Sequence, residues 1–518
     1  MSEEPKPLIV RPERPFPTRW ALALTTLLIV GLIGGFAWYR FFRTVTPRYD
    51  DDLENYKYGS IGNVPAAGVP YYIWMVLPRV FPEHLPGNGG YASLGMLWEP
   101  GHEAPVGFTK MTVGFPRIAH NCAACHTGSF RKQGQETPTI YPGAPAHQFS
   151  PQAYLRFLTA CARDDRFNAD VILPEIEYFV PLSAIDKILY RYVLIPRTRD
   201  ALLEQGRINA WQDSRPDWGN GRIDPFNPVK FGTLGADYHQ DNDGVSRYDT
   251  VGNSDMQPLF GLKGRDGGPL HWDGLTSSLE EVVISGALGD GTALKDLDYP
   301  AMKRLERIIL ALPTPAFPYE DDPGSPYRRD EEAIGRGAEA YRKADCARCH
   351  SPGGELTNKV VPLEEVGTDP ERHKLWGQAD ADRYNSYADR YHWDFSKFVG
   401  TNAPGKGNGY VAHELGGIWI RAPYLHNGSV PTLRDLFEPV EKRPKSFYRG
   451  YDVYDPIKAG WVSDVPASPD NDGRPFFLFA VADESGNPIK GNGNGGHLWG
   501  VDLSDAEKDD LVEYLKSL

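Results

Sequence analysis

The strongest contrast in the pattern of apolar and polar positions lies near the N-terminus. Between Arg19 and Arg40 stand 20 residues without a charge, Trp20 to Tyr39, centred on Leu27-Leu28-Ile29-Val30. At about 1.5 Å per residue such a helix covers about 30 Å, the hydrocarbon thickness of a bilayer. Trp20, Trp38 and Tyr39 stand at its ends, where amphipathic rings favour the headgroup level. The run predicts an uncleaved transmembrane signal-anchor over residues 20–39, behind a cytoplasmic tail, residues 1–19. A cleaved signal peptide is the alternative, but its apolar stretch is usually shorter and closes on a small-x-small site. Gly31 and Gly35 form a small-xxx-small pair, a weak dimerisation cue.

Beyond the anchor, helical spacing is clearest in four places. Ser150-Pro-Gln-Ala-Tyr-Leu-Arg-Phe-Leu and Tyr299 to Leu312 read as helices within a first region, residues 44–312. Asp330 to Lys343 reads as another, with Gly337 and Tyr341 four apart on one face. Ser504 to Leu518 closes the chain: Ser504 with Glu507 makes a capping box, and Leu511, Tyr514, Leu515 and Leu518 make an apolar stripe. Gly337 is expected to face Tyr514, because a small residue lets a second helix come close. Between the regions, Pro313-Thr-Pro-Ala-Phe-Pro-Tyr-Glu-Asp-Asp-Pro-Gly-Ser-Pro cannot continue a helix and reads as a linker, residues 313–326. The second region is 327–518. The fold class expected is mainly α: one transmembrane helix followed by two domains with long irregular loops, consistent with 54 Gly and 45 Pro.

Five cysteines bring in the chemistry. Four form two copies of one pattern, Cys122-Ala-Ala-Cys125-His126 and Cys346-Ala-Arg-Cys349-His350. A disulfide framework fits poorly, because the number is odd and the spacers are very short. As haem attachment the pattern is coherent: two thiols reach the two vinyl groups of one porphyrin, and the adjacent His ligates the iron. Two covalently bound haem c groups are therefore expected, one in each of two cytochrome-c-like domains, with Cys122, Cys125, Cys346 and Cys349 as attachment points and His126 and His350 as metal ligands. A thioredoxin-like or zinc role is the bland alternative. Cys161 reads as a buried small residue. Because haem is attached outside the cytoplasm, residues from about 40 onward are expected on the periplasmic side. The net charge of −14 leaves no basic stripe for nucleic acid.

The sixth ligand of each iron separates electron transfer from chemistry. No Met lies beyond Met302, so a Met ligand for the second haem would have to come from the first region. Candidates in the second region are His373, His392, His413, His426, His497 and Tyr424. His497 stands on a glycine-rich loop just before the last helix, where backbone can approach a haem face. Around the first haem the choice is His147, His239, His271, Met256, Met302 or no ligand.

Several stretches resemble one group. Gly114-Phe-Pro-Arg-Ile-Ala-His-Asn-Cys122-Ala-Ala-Cys125-His126-Thr-Gly is similar to the first haem site of rubber-oxygenase-like di-haem cytochromes, within the bacterial di-haem cytochrome c peroxidase superfamily. Tyr71-Tyr-Ile-Trp-Met-Val-Leu-Pro and Gly89-Gly-Tyr-Ala-Ser-Leu-Gly-Met-Leu-Trp-Glu-Pro-Gly-His resemble membrane-anchored members. His271-Trp272-Asp273-Gly274 resembles the superfamily's Trp-Asp-Gly motif, and Arg421-Ala-Pro-Tyr424-Leu-His426-Asn-Gly-Ser-Val-Pro-Thr-Leu its C-terminal-haem loop. Gly496-His497 resembles the distal-histidine segment. The resemblance, over residues 50–518, implies Trp272 between the haems, His497 as the sixth ligand of the second haem, and a first haem with an open position. Where peroxidases carry Arg after Trp-Asp-Gly, this chain has Leu275, and their later catalytic Glu gives way to Gly286-Ala-Leu-Gly-Asp-Gly. Glu280 and Glu281 stand nearby.

The function expected is electron transfer at the outer face of the membrane between redox partner proteins. The alternative is a peroxidase-like or oxygenase enzyme whose first haem meets a small oxidant, peroxide or oxygen. A haem-bearing assembly subunit without turnover is a third reading. Asp241-Asn-Asp243-Gly244 and Asp470-Asn-Asp472-Gly473 look like fragments of calcium loops, but lack the terminal Glu of an EF-hand and read as Asx turns.

Overall fold

The structure, a computed structural model, describes residues 18–234, 250–265, 267–320, 325–390, 398–403, 406–465 and 475–518. The apolar run forms one helix, Thr18–Phe41, long and apolar enough to cross a membrane. Its apolar side chains are not buried in the body. Thr25 and Thr26 turn their hydroxyls back onto the carbonyls of Ala21 and Leu22, so neither polar group needs water. The helix is compatible with a single-pass anchor or a signal sequence. Its last turn is fastened to the body, where Arg40 donates to Asp186.

The chain then enters a small sheet that the hydrophobic pattern did not announce. Strands β1 (Thr44–Val45), β2 (Val69–Pro70), β3 (Phe108–Val113) and β4 (Phe115–His120) stand in the order β1-β3-β4-β2. β3 and β4 form a hairpin through Gly114, with Phe108 opposite His120 and Val113 opposite Phe115. The hairpin leads directly into the first motif.

Helices nevertheless outnumber strands, and the four read from spacing are present as Pro151–Arg163, Tyr299–Ala311, Glu331–Lys343 and Asp505–Lys516. The capping box of Ser504 and Glu507 is formed, and Asp330 caps Glu331–Lys343. These last two helices lie against each other. A Cβ on Gly337 would meet the Asp510 carbonyl oxygen at 2.0 Å and Tyr514 Cβ at 2.7 Å, so only glycine allows the approach. Arg336 pairs with Asp510 and Lys343 with Glu507 along the same contact.

One hydrophobic core crosses the expected boundary between regions, running from Tyr56 and Phe130 through Leu312, Phe317 and Tyr319 to Trp419, Tyr454 and Leu515. A second fills the space beneath the sheet, with Trp74, Phe108, Phe157, Leu173 and Leu194. Residues 313–320 make no regular helix, as their prolines require, but they are not a solvent-exposed tether. Phe317 and Tyr319 are buried, with ring contacts to Trp419 and Phe130 respectively. Buried ion pairs also join the two parts: Arg131 with Asp452, Arg449 with Asp255 and Arg372 with Asp273.

Candidate haem sites

The first motif begins on a tight turn. Asn121 accepts from the Ala123 amide through Oδ1 and donates to the Gly59 carbonyl through Nδ2, which pins Cys122–Ala124 as a 3-10 turn at the end of β4. Tyr56 Oη donates to the His126 carbonyl at 2.6 Å. His126 Nδ1 donates to the Gln257 carbonyl at 2.8 Å. A carbonyl can only accept, so the proton sits on Nδ1 and the Nε2 lone pair is free. Cys122, Cys125 and His126 line one cleft of about 1390 Å³ of atom-free space, its open mouth included.

The second motif is helical over Cys346–His350 and follows Asp345, whose φ is +59°. His350 Nδ1 donates to the His413 carbonyl at 2.6 Å, the same arrangement as in the first motif. Cys346, Cys349 and His350 line a second cleft of about 1460 Å³, measured the same way. His497 lines it too, with its ring centre 6.1 Å from that of His350.

His497 is held by backbone rather than by its ring. Its φ is +47° and that of Gly496 is +74°, and a Cβ at 496 would lie 2.3 Å from the Gly367 carbonyl carbon. The His497 amide donates to the Val366 carbonyl at 2.7 Å. Arg443, buried at 2% exposure, donates to the carbonyls of Asn494, Gly496 and His497 on one side and of Leu436 and Glu438 on the other. Burial, with His350 and Arg443 nearby, lowers the His497 pKa to about 3, so the imidazole is neutral and its lone pair available.

The other sequence candidates fall in different places. His413, His426 and Tyr424 line the second cleft, but His413 sits beside His350, and His426 stacks on Tyr410 at 4.0 Å. His373 does not line it. In the first cleft His271 and Met256 contribute to the wall. His147 stacks on Trp461 in a separate small cavity, and Met302 belongs to the core. His239, His392 and the two Asx-rich loops lie outside the described residues. Among the described residues, His126 has no ring partner comparable to the His350–His497 pair. Helix Leu279–Gly289 turns Leu279, Val282, Val283, Ser285, Gly286 and Gly289 toward this cleft. Glu280 bonds Tyr299 and Lys303 instead. Glu281 is fully buried away from the cleft, and burial lifts its pKa to about 8.

The two clefts share a wall. Asp255, Met256, Gln257, Pro258, Arg265 and Trp272 line both. Trp272 Nε1 donates to the Asp255 carbonyl at 3.1 Å, and its ring centre is 6.3 Å from that of His413. Asp255 is itself buried and bonded to Arg449. Its pKa, lifted by burial against the pull of Arg449, is about 6. Arg443, Asp255 and the Gln257 carbonyl were not singled out from sequence. A lone Arg or Asp carries no local signature, and a backbone carbonyl none at all.

The residues present fit haem c. In each cleft two thiols and one Nε2 with a free lone pair converge on a largely apolar space. Two imidazoles on opposite faces of one metal, at metal–nitrogen distances of about 2 Å, put their ring centres about 6 Å apart, and 6.1 Å is the separation of His350 and His497.

Comparison with known proteins adds a family to this geometry. Residues 409–448 match the family model described as "RoxA-like, cytochrome c-like". The segment holds His413, whose carbonyl orients His350, as well as Arg421, Tyr424, His426 and Arg443. Two uncharacterized proteins of Sinorhizobium fredii (strain NBRC 101917 / NGR234) are similar. One, y4iJ, is 27% identical over 83% of this chain and 81% of its own length. The other, y4iM, is 30% identical over 40% of this chain, an overlap that spans about half of its own length. The chain thus carries a RoxA-like, cytochrome c-like segment, which makes haem c the implied cofactor and redox chemistry the implied work.

Proposed function

We propose that the protein is a di-haem c-type cytochrome that transfers electrons at the outer face of a membrane, anchored by Thr18–Phe41 with its N-terminus cytoplasmic. On this reading residues 44–312 carry the first haem on Cys122, Cys125 and His126. Residues 327–518 carry the second on Cys346, Cys349, His350 and His497. The observation that carries the reading is the shared wall: one indole, Trp272, borders both clefts. Bound haem c supplies a one-electron iron couple. The chain's own residues hold and tune it. The Gln257 and His413 carbonyls fix the tautomer of His126 and His350 and raise the basicity of the nitrogen that faces the cleft. Arg443 holds the His497 loop, and Trp272 fills the gap between clefts with a polarizable ring.

A second reading, a peroxidase-like or oxygenase reaction at the first site, is favoured by one observation. Among the described residues no imidazole pairs with His126 as His497 does with His350; His271 and Met256 are the ligand-type side chains in the wall of this cleft, and the helix Leu279–Gly289 offers small and apolar side chains there. Glu280 and Glu281 do not line this cleft, and the carboxylates that do, Asp224, Asp255 and Asp290, are bonded to Asn227, Arg449 and His120, which weighs against a free proton carrier for peroxide cleavage.

A pyridine haemochrome assay on denatured protein tests the proposal first, and two covalently held haems per chain are expected. One haem or none defeats it. Electron paramagnetic resonance of the oxidised holoprotein then separates the readings. Low-spin signals alone favour pure electron transfer, and a high-spin signal accompanying one low-spin signal favours chemistry at the first site.

A further inference from the structure

The chain is acidic overall, but residues 187–199 carry Lys187, Arg191, Arg197 and Arg199 and no acidic residue. They lie on a helical run that starts at Ala184 and continues to Ile208. The same run leaves apolar side chains in the open: Ile185, Ile188 and Tyr192 are 52%, 58% and 72% exposed. Spaced by three and four, they share one face. Tyr178 and Phe179, at the end of helix Ala169–Phe179, are exposed as well, with the guanidinium of Arg79 over both rings. Ion pairs of Lys187 with Glu177 and Arg191 with Asp170 tie the two segments into one patch. Single exposed apolar residues are ordinary, but a connected set rimmed by ion pairs marks an interaction surface.

Its position in the molecule says what covers it. Asp186, between Ile185 and Ile188, accepts from Arg40 in the last turn of the apolar helix. Trp38, Tyr39 and Phe42 are exposed at that same end. The patch therefore stands where the helix leaves the body, and a bilayer crossed by the helix meets it at once.

We propose that residues 178–192 are a membrane-docking face. Tyr178, Phe179, Ile185, Ile188 and Tyr192 enter the headgroup and upper acyl region, while neighbouring Arg197, exposed and outside the Lys187–Glu177 and Arg191–Asp170 pairs, meets anionic headgroups. Aromatic rings favour that depth, basic amphipathic helices lie in the interface plane, and each cation near an anionic surface adds attraction. The proposal rests on the reading of Thr18–Phe41 as a retained anchor. Anchor and face together would hold the body flat on the membrane, because Arg40–Asp186 and the pairing of β1 with β3 leave no free tether.

The test uses full-length holoprotein in vesicles of phosphatidylcholine mixed with phosphatidylglycerol. Nitroxide labels are placed one at a time by Val30→Cys, Ile188→Cys, Tyr192→Cys and Ile457→Cys. Labels at 188 and 192 are expected to relax with oxygen and to lose relaxation by a water-soluble nickel chelate, while 457 keeps it. If 188 and 192 respond to nickel like 457 while 30 is lipid-buried, the anchor stands and the docking face is overturned. Spin–spin coupling between 188 labels on two chains shows that a second copy covers the patch, which also overturns it. If residue 30 is absent from the mature chain, the anchor reading fails and the docking face falls with it.

Discussion

His497 shows how far single residues could be read. The two Cys-x-x-Cys-His motifs are local, so their chemistry is visible in ten letters. The partner of His350 is not local, and sequence left His373, His392, His413, His426 and Tyr424 beside His497 until resemblance favoured one. The fold separates them by position: His413 lends its carbonyl to His350, His426 is stacked on Tyr410, and His497 stands across the cleft. His497→Ala should convert one low-spin ferric signal to high-spin while haem content stays at two per chain. His147→Ala, at a residue that lines neither cleft, should leave the spin states unchanged. If His497→Ala alters neither iron signal, His497 is not the ligand. A second residue makes a prediction about acidity. Glu281 is wholly buried beside Tyr384 and Glu280, and its pKa is raised from 4.5 to about 8. The native state keeps that proton where the unfolded chain has lost it, so stability falls as pH rises from 4.5 toward 8 and levels off above. Glu281→Gln removes the titration and keeps the shape. Denaturant melts should show the variant gaining on the parent across this window, by on the order of 1–4 kcal/mol at pH 8. A parallel pair of pH profiles would show that the carboxyl does not titrate there.

Among the elements, those with helical periodicity or caps were legible and those built by long-range pairing were not. Asp330, Ser504 and Glu507 announce their helices because capping is a contact within four residues. The β3–β4 hairpin carries a weaker signal, the alternation in Phe-Thr-Lys-Met-Thr-Val on one side of Gly114. Its pairing partners β1 and β2 are two residues each and have no pattern of their own. Residues 313–320 were legible as non-helical, but nothing in a proline-rich stretch says that Phe317 and Tyr319 are buried against Trp419 and Phe130. The helix pair that closes the second region allows a direct test. Gly337→Val would push a branched side chain into the Asp510 carbonyl and Tyr514, both within 3 Å of a single added carbon. The backbone of Asp505–Lys516 cannot swing aside as a side chain would. A loss of about 1–3 kcal/mol is expected, from the usual cost of overfilling a packed contact. The thermal midpoint of the holoprotein would report it. Gly335→Ala, where an added carbon meets nothing, should be neutral or slightly stabilising by helix propensity.

At the scale of the whole molecule, the two halves meet through the wall between their clefts. Asp255, Met256, Gln257 and Pro258 form one continuous segment that reaches both sites, and Trp272 stands against it through its bond to the Asp255 carbonyl. Arg449 and Arg372, bonded to Asp255, Ser254 and Asp273, hold this wall from the second region. The wall is thus rigid and contains one large aromatic ring with cleft on either side. An indole provides a polarizable route where aliphatic atoms or empty space would not. Trp272→Phe keeps an aromatic ring but loses the bond to Asp255, and Trp272→Leu loses both. After rapid reduction by a small reagent that enters one site faster, electron redistribution between the two irons should slow in Trp272→Phe and slow further in Trp272→Leu. Haem content and the ferric spin states should stay as in the parent, because Trp272 is not a ligand. Stopped-flow spectra that resolve the two sites measure this directly. Equal redistribution rates in all three proteins would remove Trp272 from the electron path and leave it as packing between the two clefts.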